Sequence, residues 1–112
     1  MLFLLITVPG LALEVEGFTP DKTVVYKKIG QSDLKIHIFT PTNHTPADKR
    51  PAIVFFFGGG WNGGSPSQFY PHCHYLASRG MVAISAEYRV KTRHGTSPRE
   101  CIKDGKSAIR WI

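Results

Sequence analysis

The pattern of hydrophobic and polar residues predicts three β-strands in the first half of the chain. Residues 23–28 are rich in strand-forming residues, and residues 34–39, which follow a predicted turn at 29–33, alternate between apolar and polar side chains. Such alternation is typical of a half-buried strand, so these two segments are predicted to pair as an antiparallel hairpin. Residues 51–57 are apolar without alternation, as in a strand that is buried on both faces.

Two helices are predicted from their start signals and from the spacing of their apolar residues. Ser65 and Ser97, each followed by proline, begin the two helices, and Gly80 ends the first. Residues 81–86, between the helices, form a second buried strand. The predicted apolar face of the first helix is Phe69, Cys73, Leu76 and Ala77, and that of the second is Cys101, Ile102, Ala108, Ile109 and Ile112.

This order of elements predicts an α/β fold in which an antiparallel hairpin is followed by parallel strands with flanking helices. A crossover helix connects two parallel strands, but no strand is predicted after the second helix. The strand at residues 51–57 is also expected to leave an open apolar edge, which folded proteins avoid. We therefore expect an incomplete sheet that belongs to a larger domain.

Composition and charge fit one globular domain of modest size. The chain has 112 residues, of which 42% are hydrophobic and 20% are charged, and its formal net charge is +6. The basic residues are scattered along the chain, and the densest stretch, residues 89–93, contains no aromatic side chains. We predict that this stretch is a solvated loop and that the protein has no nucleic-acid partner.

The first residues carry a separate signal. Residues 2–13 are almost wholly apolar, whereas a membrane span needs about 20 such residues. They suit a signal peptide with Gly10 and Ala12 at its cleavage site, although no basic residue precedes the apolar run. We predict a signal peptide over residues 1–12, a partial domain over residues 13–112, no stable membrane span, and a secreted or periplasmic protein. The alternative is a cytoplasmic protein. In that case the apolar run is a buried N-terminal strand, or the start codon of the gene has been wrongly assigned.

Five glycines lie within residues 58–64, directly after the third strand, and three explanations are open to test. A phosphate-binding loop is excluded because no lysine follows the last glycines. A dinucleotide-binding loop would fit the spacing, but Trp61 stands where a small residue is needed and the helix begins late. An oxyanion hole is favoured, since successive glycine N–H groups can meet a developing negative oxygen at this position of the fold.

The glycine motif at residues 53–61, the Glu87-Tyr-Arg89 strand exit and the helix that runs to Ile112 resemble the esterase/lipase branch of the α/β-hydrolases. The similarity is greatest to carboxylesterases related to hormone-sensitive lipase and to acetyl-xylan or feruloyl esterases. The resemblance implies that the N–H groups of Gly59 and Gly60 form the oxyanion hole. It also implies that Trp61 lines the acyl pocket and that Tyr88 and Arg89 are structural residues that brace the strand exit.

Two features depart from the pattern of that family. Phe57 stands where a histidine usually precedes the glycines, which is expected to alter the bracing of the loop more than its donors. The nucleophile motif G-x-S-x-G is absent. The resemblance therefore implies that the nucleophile, the acid and the base all lie beyond Ile112.

The histidines and cysteines predict no metal site and no second nucleophile. His72 and His74 do not share a helix face, and Cys73 between them belongs to the apolar face. His37 is expected on the polar face of its strand. In the topology of the α/β-hydrolases the two helices lie on opposite faces of the sheet, so Cys73 and Cys101 are expected to remain reduced.

The predicted function is that of a fragment of a carboxylic ester hydrolase, which supplies the oxyanion-hole loop and is inactive without its missing residues. The complete enzyme would act on a small-molecule ester and needs no cofactor or metal. Whether this chain is itself an enzyme, and its oligomeric state, are left open. The alternatives are a small exported binding module without catalysis, and a dinucleotide-binding Rossmann unit.

Overall fold

The computed structural model describes residues 17–112. The predicted signal peptide and the domain boundary after residue 12 lie outside the described residues, so both stay predictions, as does export. Within the described part of the chain, no helix has the length and apolarity that crossing a bilayer requires.

The described residues form four strands, three α-helices and one 3-10 helix. In chain order these are β1 Lys22–Ile29, β2 Ser32–Phe39, β3 Ala52–Phe56, the 3-10 helix Pro66–Phe69, α1 Tyr70–Ser78, β4 Val82–Ala86, α2 Lys91–His94 and α3 Pro98–Trp111. The predicted hairpin, the two further strands and the two helices are confirmed. The start of α3 has the expected capping box, in which Ser97 and Glu100 each accept a backbone N–H of the other.

The prediction of a solvated loop at residues 89–93 is wrong in two respects. Lys91–His94 forms one turn of helix, α2, which ends at Gly95 in the left-handed conformation. The Arg89 side chain is only 12% exposed, because it pairs with a buried carboxylate on α3. Local charge density indicates solvent exposure only where no partner lies elsewhere in the chain.

The sheet has the strand order β1-β2-β4-β3. β2 pairs antiparallel with both β1 and β4, and β3 pairs parallel with β4. The predicted fold class, a hairpin that leads into parallel strands, is confirmed. Among the described residues β3 pairs on one side only, so its other edge is open as the sequence predicts.

Helix α1 covers one face of the sheet with the residues that its apolar spacing predicts. Cys73 and Ala77 are buried against Phe39 of β2 and Ala83 of β4. Phe69 and Leu76 are partly buried in the same cluster. The cluster fixes α1 across the middle of the sheet.

Helix α3 covers the opposite face, but its predicted apolar face is only partly correct. Cys101 and Ala108 are buried as expected. Ile102, Ile109 and Ile112 are instead 51%, 53% and 47% exposed. The residue that shares the inward stripe with Cys101 and Ala108 is Asp104, which is fully buried.

Both cysteines are buried free thiols, as predicted. Cys73 packs with the residues of α1, and Cys101 lies on α3 across the sheet. Burial raises the pKa of the Cys73 thiol to about 12 and also raises that of Cys101. Both thiols are therefore protonated near neutral pH and are weak nucleophiles.

Candidate active site

The glycine loop, residues 58–64, lies at the carboxyl end of β3, and the strand exit Glu87-Tyr-Arg89 lies at the carboxyl end of β4. Because β3 and β4 are parallel neighbours, both segments meet at one edge of the sheet. In open α/β sheets this edge is where ligands bind. The structure thus brings the predicted site residues together with the strand exit.

The glycine loop turns through a tight bend whose shape depends on Gly59. The N–H of Asn62 donates to the carbonyl of Gly59 at 3.1 Å, and both residues between them, Gly60 and Trp61, have positive φ. A Cβ on Gly59 would lie 2.1 Å from the carbonyl oxygen of Gly63. Only glycine allows the two limbs of the loop to approach this closely.

The N–H groups of the three consecutive residues Gly58, Gly59 and Gly60 differ in whether they have a partner among the described residues. The N–H of Gly58 donates to the side-chain Oε1 of Gln68 at 2.8 Å. Within residues 17–112, the N–H groups of Gly59 and Gly60 have no protein acceptor. The two donors that the resemblance singles out are therefore available to an external oxygen.

Tyr88 fixes the start of the loop. Its hydroxyl donates to the carbonyl of Phe57, and its ring stacks on the Phe57 ring with centroids 4.3 Å apart and an interplanar angle of 16°. Burial raises the pKa of Tyr88, so the hydroxyl remains protonated and can donate. Phe57 has no side-chain hydrogen-bonding group, and its ring is held by this stacking in place of a histidine's polar contacts.

The unpredicted helix α2 fixes the far limb of the loop. The N–H of Lys91 donates to the carbonyl of Trp61 at 3.1 Å. The N–H and the hydroxyl of Thr92 both donate to the carbonyl of Asn62, at 2.9 and 2.6 Å. These contacts hold Trp61 in a left-handed conformation that costs a non-glycine residue about 1–2 kcal/mol.

A buried ion cluster anchors the strand exit on the α3 side. Arg89 contacts Asp104 through Nε at 2.8 Å and Nη2 at 2.9 Å, and Lys27 of β1 contacts it at 2.8 Å. Burial acts to raise the pKa of Asp104, but the hydrogen bonds from Arg89 and Lys27 outweigh it and lower that pKa. Sequence reasoning missed Asp104; its place on the inward stripe of a capped helix was the available signal.

A cavity of about 510 Å³ opens beside the free N–H groups. It is lined by Phe56, Phe57, Gly58, Gly59, Gly60, Trp61, Tyr88, Cys101, Ile102 and Gly105. The predicted pocket residue Trp61 thus borders the cavity and is 47% exposed. No histidine of residues 17–112 lines it, and the Cys101 thiol donates to the carbonyl of Arg89 at 2.9 Å. The described part of this cavity can receive an oxyanion but holds no base beside a nucleophile.

His37 lies on the strand face that it shares with the exposed Asp33 and Lys35, as the alternation of β2 predicts. It faces the α1 side of the sheet with its side chain 12% exposed, where Nε2 contacts Glu87 at 3.0 Å and Nδ1 contacts the Thr23 hydroxyl at 3.1 Å. The alternation of β2 does not reveal these partners, because the carboxylate belongs to Glu87, directly after β4. Hydroxyl, imidazole and carboxylate form a chain here, but His37 lines a second cavity that includes neither Gly59 nor Gly60.

The two histidines of α1 make ring contacts. His74 packs edge-on to Phe18, with ring centroids 5.1 Å apart, and His72 packs near Phe69 at 5.3 Å. Across residues 17–112, no group of three or more histidine, cysteine, aspartate or glutamate side chains is arranged to bind a metal ion.

Comparison with known proteins agrees with this geometry. The model of the BD-FAE family matches residues 36–112, so the chain belongs to that family of α/β-hydrolase esterases. The structure of the thermophilic esterase Est2 from Thermogutta terrifontis superimposes with a TM-score of 0.80 and 56% sequence identity, over 81% of this chain and 32% of that one. Est2 has also been solved with propionate bound, with butyrate bound, and phosphonylated by cyclosarin.

Two curated esterases are more distant relatives of the chain. Carboxylesterase NlhH of Mycobacterium tuberculosis is 28% identical over 82% of this chain and 27% of its own length. Versiconal hemiacetal acetate esterase of Aspergillus parasiticus is 30% identical over 85% of this chain and 30% of its own. The chain thus spans about a third or less of the proteins that it resembles.

Proposed function

We propose that this chain is the oxyanion-hole portion of a carboxylic ester hydrolase of the serine class. The N–H groups of Gly59 and Gly60 would bind the negative oxygen of the tetrahedral intermediate, and Trp61 would border the acyl group. The observation that carries the proposal is that these two N–H groups have no acceptor among the described residues and lie on a braced loop that lines a cavity. Such donors stabilise the transition state because they are in place before charge develops.

The nucleophile, acid and base would come from sequence beyond Ile112. The described part of the cavity offers no histidine and only a protonated thiol, so hydrolysis by these residues alone lacks an activated nucleophile. β3 has an open edge among the described residues. Phe56, at the end of β3, and Ile102 of α3 both border the cavity and are 36% and 51% exposed. A further strand along that edge would cover this apolar surface and would deliver a side chain close to the donors.

The dinucleotide alternative has less support. The segment after the glycines begins as a 3-10 helix at Pro66, away from the glycine N–H groups. Glu87, which would hold a ribose in that reading, is paired with His37. The binding-module alternative is tested together with the ester hydrolase below.

A chimera tests the proposal. The aligned residues of this chain replace the corresponding segment of T. terrifontis Est2, and hydrolysis of p-nitrophenyl propionate and butyrate is measured. We expect the chimera to hydrolyse both esters and the isolated 112-residue chain to show no turnover above buffer, because only the chimera combines the donors with a nucleophile.

The control is the chimera with Gly59→Ala, in which the added Cβ meets the Gly63 carbonyl and deforms the loop. We expect it to lose activity by about 10²-fold or more, the effect of removing one oxyanion donor. Gly30→Ala, at a left-handed glycine with open space around it, should keep the activity. A folded but inactive chimera, or turnover by the isolated chain, would contradict the proposal. Cooperative folding and ester binding by the isolated chain would favour the binding module.

A further inference from the structure

The peptide unit between Phe57 and Gly58 is held at both of its polar ends. Its carbonyl accepts from the Tyr88 hydroxyl, and its N–H donates to Gln68 Oε1 at 2.8 Å. The atom that faces this N–H must be the oxygen of the Gln68 amide, since only the oxygen can accept. Because a peptide unit is planar, contacts at its two ends fix the orientation of the whole unit.

The position of Gln68 is itself fixed by its neighbours. Its N–H donates to the carbonyl of Ser65 at 3.2 Å, in the first turn of the 3-10 helix. The Ser85 hydroxyl of β4 donates to the carbonyl of Pro66 at 2.6 Å. Phe69 stacks on Phe55 of β3, with ring centroids 4.9 Å apart and an interplanar angle of 16°. The Gln68 side chain therefore reaches back to the loop from a rigid support.

We propose that Gln68 is a positioning residue for the oxyanion hole. The two N–H groups that follow the held peptide unit along the chain are those of Gly59 and Gly60. Tyr88 and Gln68 together set the direction in which the chain leaves Gly58, and hence where those two donors point. Gln68 supplies by hydrogen bonding the support that Phe57, without a polar side-chain group, does not give.

The inference rests on the proposed function, and its test combines a structural and a kinetic readout in the Est2 chimera. Gln68→Met keeps the length of the side chain and removes the strong acceptor. In 15N-glycine-labelled chimera, we expect the Gly58 amide to exchange with solvent about fivefold faster, as for the loss of one net hydrogen bond. We expect kcat to fall about tenfold with KM unchanged, less than the ~10²–10³-fold cost of a lost donor.

Three further variants serve as controls. Gln68→Glu keeps an accepting oxygen and should restore slow exchange at Gly58. Tyr88→Phe keeps the stacked ring and removes the donor to Phe57, so it should lower kcat in the same way as Gln68→Met and provides a second test if that variant fails to fold. Gln31→Met makes the same chemical change in the exposed hairpin turn and should alter neither readout.

Each outcome decides the proposal. Unchanged exchange at Gly58 in Gln68→Met would show that the contact does not hold the peptide unit, and would overturn it. Faster exchange with unchanged kcat would remove the positioning role. A fall in kcat that comes together with a rise in KM and a lower melting temperature would indicate a merely structural residue and would also overturn the proposal. An inactive parent chimera would count against the proposed function alone, and the exchange rates of Gly58, Gly59 and Gly60 would then decide whether Gln68 orients the loop.

Discussion

The two helices that flank the sheet are held by different kinds of interaction. α1 packs through small and apolar side chains, with Cys73 and Ala77 against Phe39 and Ala83. α3 directs a fully buried carboxylate, Asp104, toward the strand exit. Apolar packing places a helix on a sheet but tolerates small slips, whereas charge-assisted hydrogen bonds fix its register.

The charged contacts of α3 lie next to the proposed site. Asp104 accepts from both the backbone N–H and the guanidinium of Arg89, the residue that follows Tyr88. Tyr88 in turn holds the carbonyl of Phe57 at the start of the glycine loop. The α3 side of the sheet thus supports the predicted donors through two successive contacts, and the α1 side supports them through the 3-10 helix.

Among the substitutions that test this difference between the helices, removal of the Asp104 carboxylate should lower the free energy of unfolding most. In the chimera, Asp104→Ala leaves Arg89 and Lys27 without their partner in a buried setting, so we expect a loss of about 3–5 kcal/mol in the free energy of unfolding. Urea denaturation followed by circular dichroism measures it. Asp33→Ala, at the exposed start of β2, is the matched control and should change stability by about 0.5 kcal/mol or less. A loss for Asp104→Ala as small as that of the control would remove the distinction between the two helices.

A smaller loss in the free energy of unfolding is expected from substitution of the exposed apolar residues of α3. If a further strand covers the surface beside β3, Ile102→Ser in the chimera should lower the free energy of unfolding by about 1–3 kcal/mol. Lys106→Ser, on the exposed side of the same helix, should stay within about 0.5 kcal/mol. Equal effects of the two substitutions in urea denaturation would mean that Ile102 stays in solvent and that α3 relies on Asp104, Cys101 and Ala108.

Most of the fold could be predicted because its signals are local. Each of these signals lies within a few residues: the alternation of β2, the unbroken apolar run of β3, and the serine–proline starts of the 3-10 helix before α1 and of α3. The buried ion cluster could not be predicted in this way, since Asp104 meets partners 15 and 77 positions away. The partner of His37 could not be predicted for the same reason, because Glu87 is 50 positions away.

The site shows the same division between local and distant information. The glycines and Trp61 were predicted from their motif and their place after a buried strand. Which of the N–H groups is already paired depends on Gln68, ten positions further along the chain. The support from α2 depends on a helix that forms where only a charged loop was expected. Motifs predict the chemistry of a loop, but the pairing of its backbone groups follows from tertiary structure.

The most direct test of the proposed oxyanion hole is a crystal structure of the chimera after phosphonylation, the kind of adduct that T. terrifontis Est2 has been shown to form with cyclosarin. The phosphonyl oxygen stands in for the oxyanion of the tetrahedral intermediate. We predict that it lies about 2.7–3.1 Å from the backbone nitrogens of both Gly59 and Gly60. A phosphonyl oxygen that points away from these two nitrogens and contacts other donors would contradict the role assigned to this loop.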